Sequence, residues 1–466
     1  MFGLTWQKIA NAVQGKLDTF GFGEWTAPTG ACIDTRNLHQ GDLFFALKGE
    51  KTDGHCFLHE ARAKGAVGAV VNYIPSDAAF ADFPLLVVED TVKALQQLAA
   101  AQRKIFTGAV IAVTGSTGKT STKEMVAAIL QEKGPVLKTT DNHNNELGLA
   151  VTILAVKQKD QFIVVEMGMR GLGEIDFLCR ISQPDYGVIT NIGHTHQELL
   201  GSQEKIAQAK AELIAHLPAR GGVVLPAASK NMLRPWLSNI RCATLWFGLN
   251  GSADIYAQHS RLLGEKGIEF ELIYRREVAG NIHLCLPGRH NVLNAMAAIA
   301  IGLHLGFSWE EISSGLEKVR LPGMRLEYNK TISGDVQVIN DAYNANPDSM
   351  CSALEVLQET SAGKGAIAVL GDMYELGDYT EEGHLFVGRL VKEKGVAYLI
   401  TVGKLGEIIA RGAENAGMAQ ERVFRCQNNA EAFSCLHKIM QSGDVILVKG
   451  SRGVKMEEIV VRLVSS

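Results

Sequence analysis

The chain has 466 residues, 46% of them hydrophobic and 21% charged, enough for about three domains with cores of their own. Its 46 basic and 50 acidic side chains leave a net charge of −4, which excludes a generally basic surface and non-specific nucleic-acid binding as its main role. Cys32, Cys56, Cys179, Cys242, Cys285, Cys351, Cys426 and Cys435 stand singly with no C-x-x-C pair, so reduced thiols in a cytoplasm are expected rather than a zinc site or a disulfide framework.

The opening MFGLTWQKIANAVQGK lacks the basic-then-apolar order of a secretory signal. No window reaches the ~18 apolar residues of a membrane helix, and the run from Ala295 is shorter and interrupted by His304. No membrane insertion is expected.

Residues 1–90 read as a small α/β domain. GDLFFALKG (41–49), AVGAVV (66–71) and LLVV are strand-like, HEARAKGA is helical, and Pro75, Ser76 and Asp77 begin a polar interruption. TVKALQQLAAAQRK (91–104) has apolar spacing near 3.6 and opens a second domain, 91–322. There AVIAV from Ala109, FIVVEM (162–167), YGVITNIG (186–193) and GGVVLP (221–226) are strands. KEMVAAILQEKG and EKIAQAKAELIAHL (204–217) are helices, an alternation that favours a parallel sheet with both faces covered. RLPGMRLEY (320–328) is turn-rich and leads into a third domain, 323–466. Its strands VQVIND, GAIAVLGD, VAYLITVG and DVILVKG alternate with helices such as EAFSCLHKIMQ, the pattern of a small doubly wound, Rossmann-like sheet.

The strongest local signal is AVIAVTGSTGKTSTKEMV (109–126): strand, glycine turn, lysine, hydroxyl, helix. Glycines let backbone wrap phosphate oxygens, and a helix N-terminus directs N–H groups and a favourable dipole at them. The run Gly115, Ser116, Thr117, Gly118, Lys119, Thr120 and Ser121 is therefore the expected nucleotide-phosphate loop, with Lys119 reaching the outer phosphates and the Thr120 hydroxyl on Mg²⁺. Val113 stands where the usual pattern has its first glycine. Glu166 ends one apolar strand, and His194, His196 and Glu198 follow another, so these are candidate metal ligands at the ligand-binding edge of a parallel sheet; spacing does not choose between the histidines. Lys210, taken alone, is an ordinary helix lysine.

Together these residues resemble the Mur ligases. The resemblance rests on TGSTGKTSTK, VVEMG with GEI, TNIGHTHQELLGS with IAQAKAEL, and LPGRHNVLNAMAA. INDAYNANPDSM (339–350), VLGDMYELG (369–377) and LVKGSRGVKMEEIV (447–460) resemble the branch that extends a UDP-N-acetylmuramoyl-tripeptide, while a D-N-P-R tetrapeptide is absent. The likeness runs from DTRNLHQGDLFFALKGEKTDGHCF (34–57) to Lys455.

The resemblance implies a UDP-binding first domain, a central ATPase domain and a Rossmann-like ligase domain. It also implies ATP-driven joining of D-Ala-D-Ala to the tripeptide through an acyl phosphate, in peptidoglycan synthesis. It makes Lys119, Lys210 and His196 catalytic, and Thr120, Glu166, His196 and Lys210 ligands of two Mg²⁺ ions, Lys210 as a CO2-derived carbamate. Asn291 and Asn294 would meet adenine, and Arg325 and Asp341 the ribose and phosphates. Thr35, Arg36, Asn144 and Asn145 would face the UDP-sugar. Asn344, Asn346 and Ser349, helped by Lys449 and Arg452, would border D-Ala-D-Ala. A monomer is expected. The competing expectations are a folylpolyglutamate-synthase-like ligase and a non-catalytic ATP-binding regulator.

Overall fold

The computed structural model describes all residues except 19–24, 76–82, 141, 194–199, 239 and 466. Three sheets follow one another along the chain. The first holds β1 (Lys16–Asp18), β2 (Gly30–Cys32), β3 (Asp42–Phe45), β4 (Gly68–Val71) and β5 (Leu85–Val87) in the order β1-β5-β4-β3-β2, with only β1 antiparallel to its neighbour.

The second sheet contains β6 (Ala109–Thr114), β7 (Val136–Lys138), β8 (Phe162–Glu166), β9 (Tyr186–Ile189), β10 (Gly222–Pro226), β11 (Ala243–Gly248), β12 (Ile255–Leu262), β13 (Ile268–Tyr274) and β14 (Glu277–Leu284). Their order is β14-β13-β12-β11-β10-β9-β6-β8-β7. From β7 to β12 the pairings are parallel, whereas β12, β13 and β14 form an antiparallel meander. Strand–helix alternation did not register that meander, because residues 255–284 contain no crossover helix.

Burial explains the apolar strands. Along β6, Val110 and Ala112 join one core cluster while Ile111 and Val113 join another on the opposite face, as the two-residue period of a strand requires. Helix Thr91–Ile105 covers the first face; helices Lys119–Leu130 and Arg289–His304 cover the second. After β6 the chain builds β7 and β8 on one side and then returns to place β9 on the other, so the order reverses at β6/β9 and leaves a crevice beyond their carboxyl ends.

The third sheet, β15 (Glu327–Lys330), β16 (Gln337–Asp341), β17 (Ala366–Gly371), β18 (Tyr398–Val402), β19 (Val423–Cys426) and β20 (Val445–Lys449), runs β15-β16-β20-β17-β18-β19 and is parallel apart from β15. Among the described residues no helix is long and apolar enough to cross a membrane.

Candidate active site

β6, β8 and β9 end side by side, and their loops form one wall of a cleft of about 1330 Å³; the other wall comes from β16, β20 and the helix Pro347–Ser361 of the third sheet. On the first wall the turn after β6 is held from several directions. Ser116 N–H donates to the Asn191 carbonyl (3.2 Å), and Thr117 N–H to Asn191 Oδ1 (2.9 Å). The Thr190 hydroxyl donates to the Thr117 carbonyl (2.6 Å), and Gly193 N–H to Ser116 Oγ (2.9 Å). Two glycines are obligatory here. A Cβ on Gly115 would lie 1.8 Å from Thr190 Oγ1. Gly118, at φ +75°, would put one 2.3 Å from Asn294 Oδ1.

Lys119 opens the helix Lys119–Leu130, and its Nζ donates to the carbonyls of Gly115 (2.7 Å) and Ser116 (3.3 Å). Burial pushes its ammonium pKa down; Glu166 opposes that shift and Arg325 adds to it. The Thr120 hydroxyl donates to Glu166 Oε2 (2.8 Å), while Asn144 Nδ2 donates to Glu166 Oε1 (3.0 Å). Glu166 is 3% exposed, so both carboxylate oxygens are satisfied inside the protein. Ser121 lines the same wall.

Lys210, on the helix Gln203–Ala215, is 1% exposed, and among the described residues its amine makes no hydrogen bond or ion pair. Burial, reinforced by the Lys119 ammonium, holds its pKa well below the ordinary lysine value. A lysine buried without an anion is unusual on energetic grounds, and the amine is driven toward its neutral form. His194, His196 and Glu198 lie outside the described residues. Among the described residues no three His, Cys, Asp or Glu side chains converge as a metal-holding group.

Asn291 and Asn294 sit behind the loop as a buried pair. Asn294 Nδ2 donates to Asn291 Oδ1 (3.1 Å), and Asn291 Nδ2 to the Pro287 carbonyl (2.7 Å). On the facing wall Arg325 stacks over the Tyr343 ring at 3.9 Å, and its buried Nε has no hydrogen-bond partner among the described residues. The residues flanking Arg325, Met324 (φ 63°) and Leu326 (φ 50°), are both left-handed. Asp341 accepts from Leu326 N–H (3.1 Å) and from Lys449 Nζ (2.5 Å), and Lys449 also donates to the Asn344 carbonyl (2.9 Å). Arg452 pairs with Glu457 at 2.8 Å.

Several asparagines have local work. Asn145 caps helix Glu146–Leu154 by accepting from Gly148 N–H (2.9 Å), and Asn346 forms a capping box with Ser349 on helix Pro347–Ser361. All three still line the cleft. Thr35 and Arg36 do not line it. They sit on a short turn after β2, where the exposed Arg36 grips Asp34 and holds that carboxyl at about 2, and the Thr35 carbonyl accepts from Lys64 (3.0 Å). Asn191 and Tyr343 were missed by sequence reasoning. The first follows a strand in TNIG and the second sits in DAYNAN, so position at a strand end was the available signal.

Three family descriptions match in succession: the catalytic domain of the Mur ligase family over residues 29–103, the Mur ligase middle domain over 113–302, and the Mur ligase glutamate ligase domain over 324–452. The chain is 39% identical to the UDP-N-acetylmuramoyl-tripeptide–D-alanyl-D-alanine ligase of Bacillus subtilis (strain 168), covering 100% of this chain and 99% of the relative. The chain belongs to the Mur ligase family. This Mur ligase is also similar to the crystal structure of MurF from Acinetobacter baumannii, with TM-score 0.84, 32% identity, and coverage of 99% and 98% of the two chains. The MurF ligase of Thermotoga maritima in complex with ADP matches with TM-score 0.79 and 25% identity, covering 95% and 99%.

Proposed function

We propose that this Mur ligase joins D-alanyl-D-alanine to UDP-N-acetylmuramoyl-tripeptide, converting ATP to ADP and phosphate, in the synthesis of peptidoglycan precursors. The observation that carries the reading is a single cleft lined by the Lys119–Thr120 phosphate loop and by Arg325, Asp341 and Lys449 of the third sheet, in a chain that matches such ligases from end to end. The tripeptide carboxylate attacks the γ-phosphorus, the β–γ bond breaks, and ADP leaves. The amine of D-Ala-D-Ala then attacks the acyl carbon, and phosphate departs as the amide forms. Catalysis of this kind depends on positioning and on neutralising charge around the transferred phosphoryl group.

The loop amides and the helix start at Lys119 receive the phosphates. Lys119 exchanges the carbonyls of Gly115 and Ser116 for phosphate oxygens, Arg325 and Asp341 close over the ribose and phosphates, and Asn291 and Asn294 meet the adenine. The Thr120 hydroxyl and Glu166 carboxylate are hard oxygen donors and fit Mg²⁺; His196 and a carbamylated Lys210 complete the proposed ligands of two ions. Bound there, Mg²⁺ would offset the negative charge of the phosphates. Without an anion among the described residues and with its pKa held well below the ordinary lysine value, the Lys210 amine is driven toward the form that combines with CO2, and the carbamate anion would then sit beside the Lys119 ammonium.

Thr35, Arg36, Asn144 and Asn145 are proposed to face the UDP-sugar, and Asn344, Asn346 and Ser349, with Arg452, the D-Ala-D-Ala. The working division is UDP binding by residues 1–90, ATP by 91–322, and acceptor amine by 323–466, in a monomer working in the cytoplasm. Mixing the chain with ATP, Mg²⁺, UDP-N-acetylmuramoyl-tripeptide and D-Ala-D-Ala should release phosphate only when all are present. Phosphate release with folate and glutamate instead, or none at all, would overturn the reading.

A further inference from the structure

A second lysine on the phosphate-loop helix is more deeply buried than the first. Lys123, one turn beyond Lys119, is 1% exposed, and lysines are almost never so enclosed without partners. Its Nζ donates to the backbone carbonyl of Thr139 (2.6 Å) and lies 3.1 Å from Glu124 Oε1. Glu124, 6% exposed, is also paired with Lys138 at the end of β7. A helix and an edge strand are thus tied together by a buried ammonium and carboxylate directly behind the nucleotide loop.

Thr139 is where this tie meets the site. It follows β7, is fully buried, and extends the β7–β8 pairing through its N–H to the Val164 carbonyl (3.0 Å). Its Oγ1 accepts from the backbone N–H of Glu166 (3.0 Å). From Thr139 the chain runs on to Asn144, whose amide holds Glu166 Oε1 and whose carbonyl accepts from Gly168 N–H (2.9 Å). Two of the three described groups that orient Glu166 are therefore Thr139 and Asn144, and the carbonyl of the first is clamped by Lys123. The third, Thr120, sits on the same helix as Lys123. The helix thus holds Glu166 twice: its carboxylate directly through Thr120, and its backbone N–H indirectly through Lys123 and Thr139.

We propose that Lys123 is a positioning residue, acting through Thr139 and Asn144 to hold the Glu166 carboxylate against Thr120 where a divalent cation and the nucleotide phosphates meet. This rests on the Mg²⁺–ATP reading given above. Lys123 touches neither substrate nor cofactor. An unpaired carbonyl at Thr139 would free the segment's root, and the carboxylate would lose its fixed direction before any cation arrives.

The test uses the full chain and Mn²⁺ as a spectroscopic probe, with bound ion read by electron paramagnetic resonance in the presence of ADP. Lys123→Met leaves Glu124 without its buried partner, so the double variant Lys123→Met/Glu124→Gln is included, and Thr139→Val removes only the acceptor for Glu166 N–H. The expected result is at least tenfold weaker Mn²⁺ binding in each folded variant and recovery in Thr139→Ser. Affinity for ADP in EDTA should stay within twofold. Folded variants with wild-type Mn²⁺ affinity would overturn the proposal and leave Lys123 a structural tie; if the Lys123 variants do not fold, the Thr139 pair decides by the same criterion. A wild-type chain that binds no Mn²⁺ with ADP would instead sink the underlying reading, so the two failures are distinguishable.

Discussion

The two walls of the cleft are built on different plans. On the wall formed by β6, β8 and β9, polar side chains point at one another: Thr120 and Asn144 at Glu166, Asn294 at Asn291, Asn191 at the loop backbone. On the wall from the third sheet, they mostly serve their own chain segment. Asn346 and Ser349 cap a helix, Lys449 ties Asp341 to the Asn344 carbonyl, and Arg325 lies on Tyr343 with its Nε unpaired. The first wall fixes the Glu166 carboxylate and the loop backbone in advance, the arrangement that gives electrostatic catalysis its leverage, while Lys119 Nζ is held on the carbonyls of Gly115 and Ser116. The second wall spends most of its polar groups on bonds within the third sheet and its first helix.

That contrast can be broken experimentally, and the largest effect belongs to the preorganised wall. Lys119→Ala removes the lysine of the loop and should lower phosphate release by about 10²–10³-fold or more. Lys210→Ala should cost about 10²-fold in kcat while leaving calorimetric binding of the UDP-linked tripeptide intact, and formate or acetate should restore part of the rate; full activity without additive would remove Lys210 from the mechanism.

A smaller effect sharpens the comparison at the boundary between the walls. His290, at the start of the helix Arg289–His304, is lowered to about 4, chiefly by burial, with Asp341 and Glu355 raising it and Lys449 lowering it further. A histidine free in the unfolded chain takes its proton near pH 6.5, so between about 6.5 and 4 the unfolded state binds more protons. Stability should fall as pH drops through that window and level off below it, by at most ~3 kcal/mol from this group. His304 and His384, also lowered by burial, tilt the curve the same way, so the informative quantity is the difference between wild type and His290→Asn in urea midpoints at pH 7 and pH 4.5. The variant should show the flatter dependence. The smallest effect is on the second wall. Asn346→Ala should cost about 1 kcal/mol of stability through the lost cap. Nucleotide affinity, measured by calorimetry, should not change.

Much of the first wall was legible in the sequence, because its chemistry is written in short runs. Strand, Gly115, Gly118, Lys119 and helix are contiguous, and Glu166 ends a buried apolar strand. Element ends fell within a few residues: the helix expected at 204–217 is Gln203–Ala215, and the strand expected at 186–193 ends at Ile189 because Thr190 and Asn191 turn away to hold the phosphate loop. What stayed hidden depends on contacts between distant segments. No local pattern announces that Lys123 reaches Thr139, that Arg325 lies on Tyr343, or that residues 255–284 fold back as a meander. Nor could spacing separate an asparagine that meets a ligand from one that caps a helix, since both occupy turns.

The left-handed residues on either side of Arg325 have a consequence for where its guanidinium points. Met324 and Leu326 each hold a backbone conformation that costs a side-chain-bearing residue about 1–2 kcal/mol, and they do so where the chain leaves the second sheet for the third. The Met324 carbonyl accepts from Tyr343 N–H (3.2 Å) and Leu326 N–H donates to Asp341 (3.1 Å), so both torsions are fastened to the third sheet. The residue between them is thereby aimed by the body it precedes.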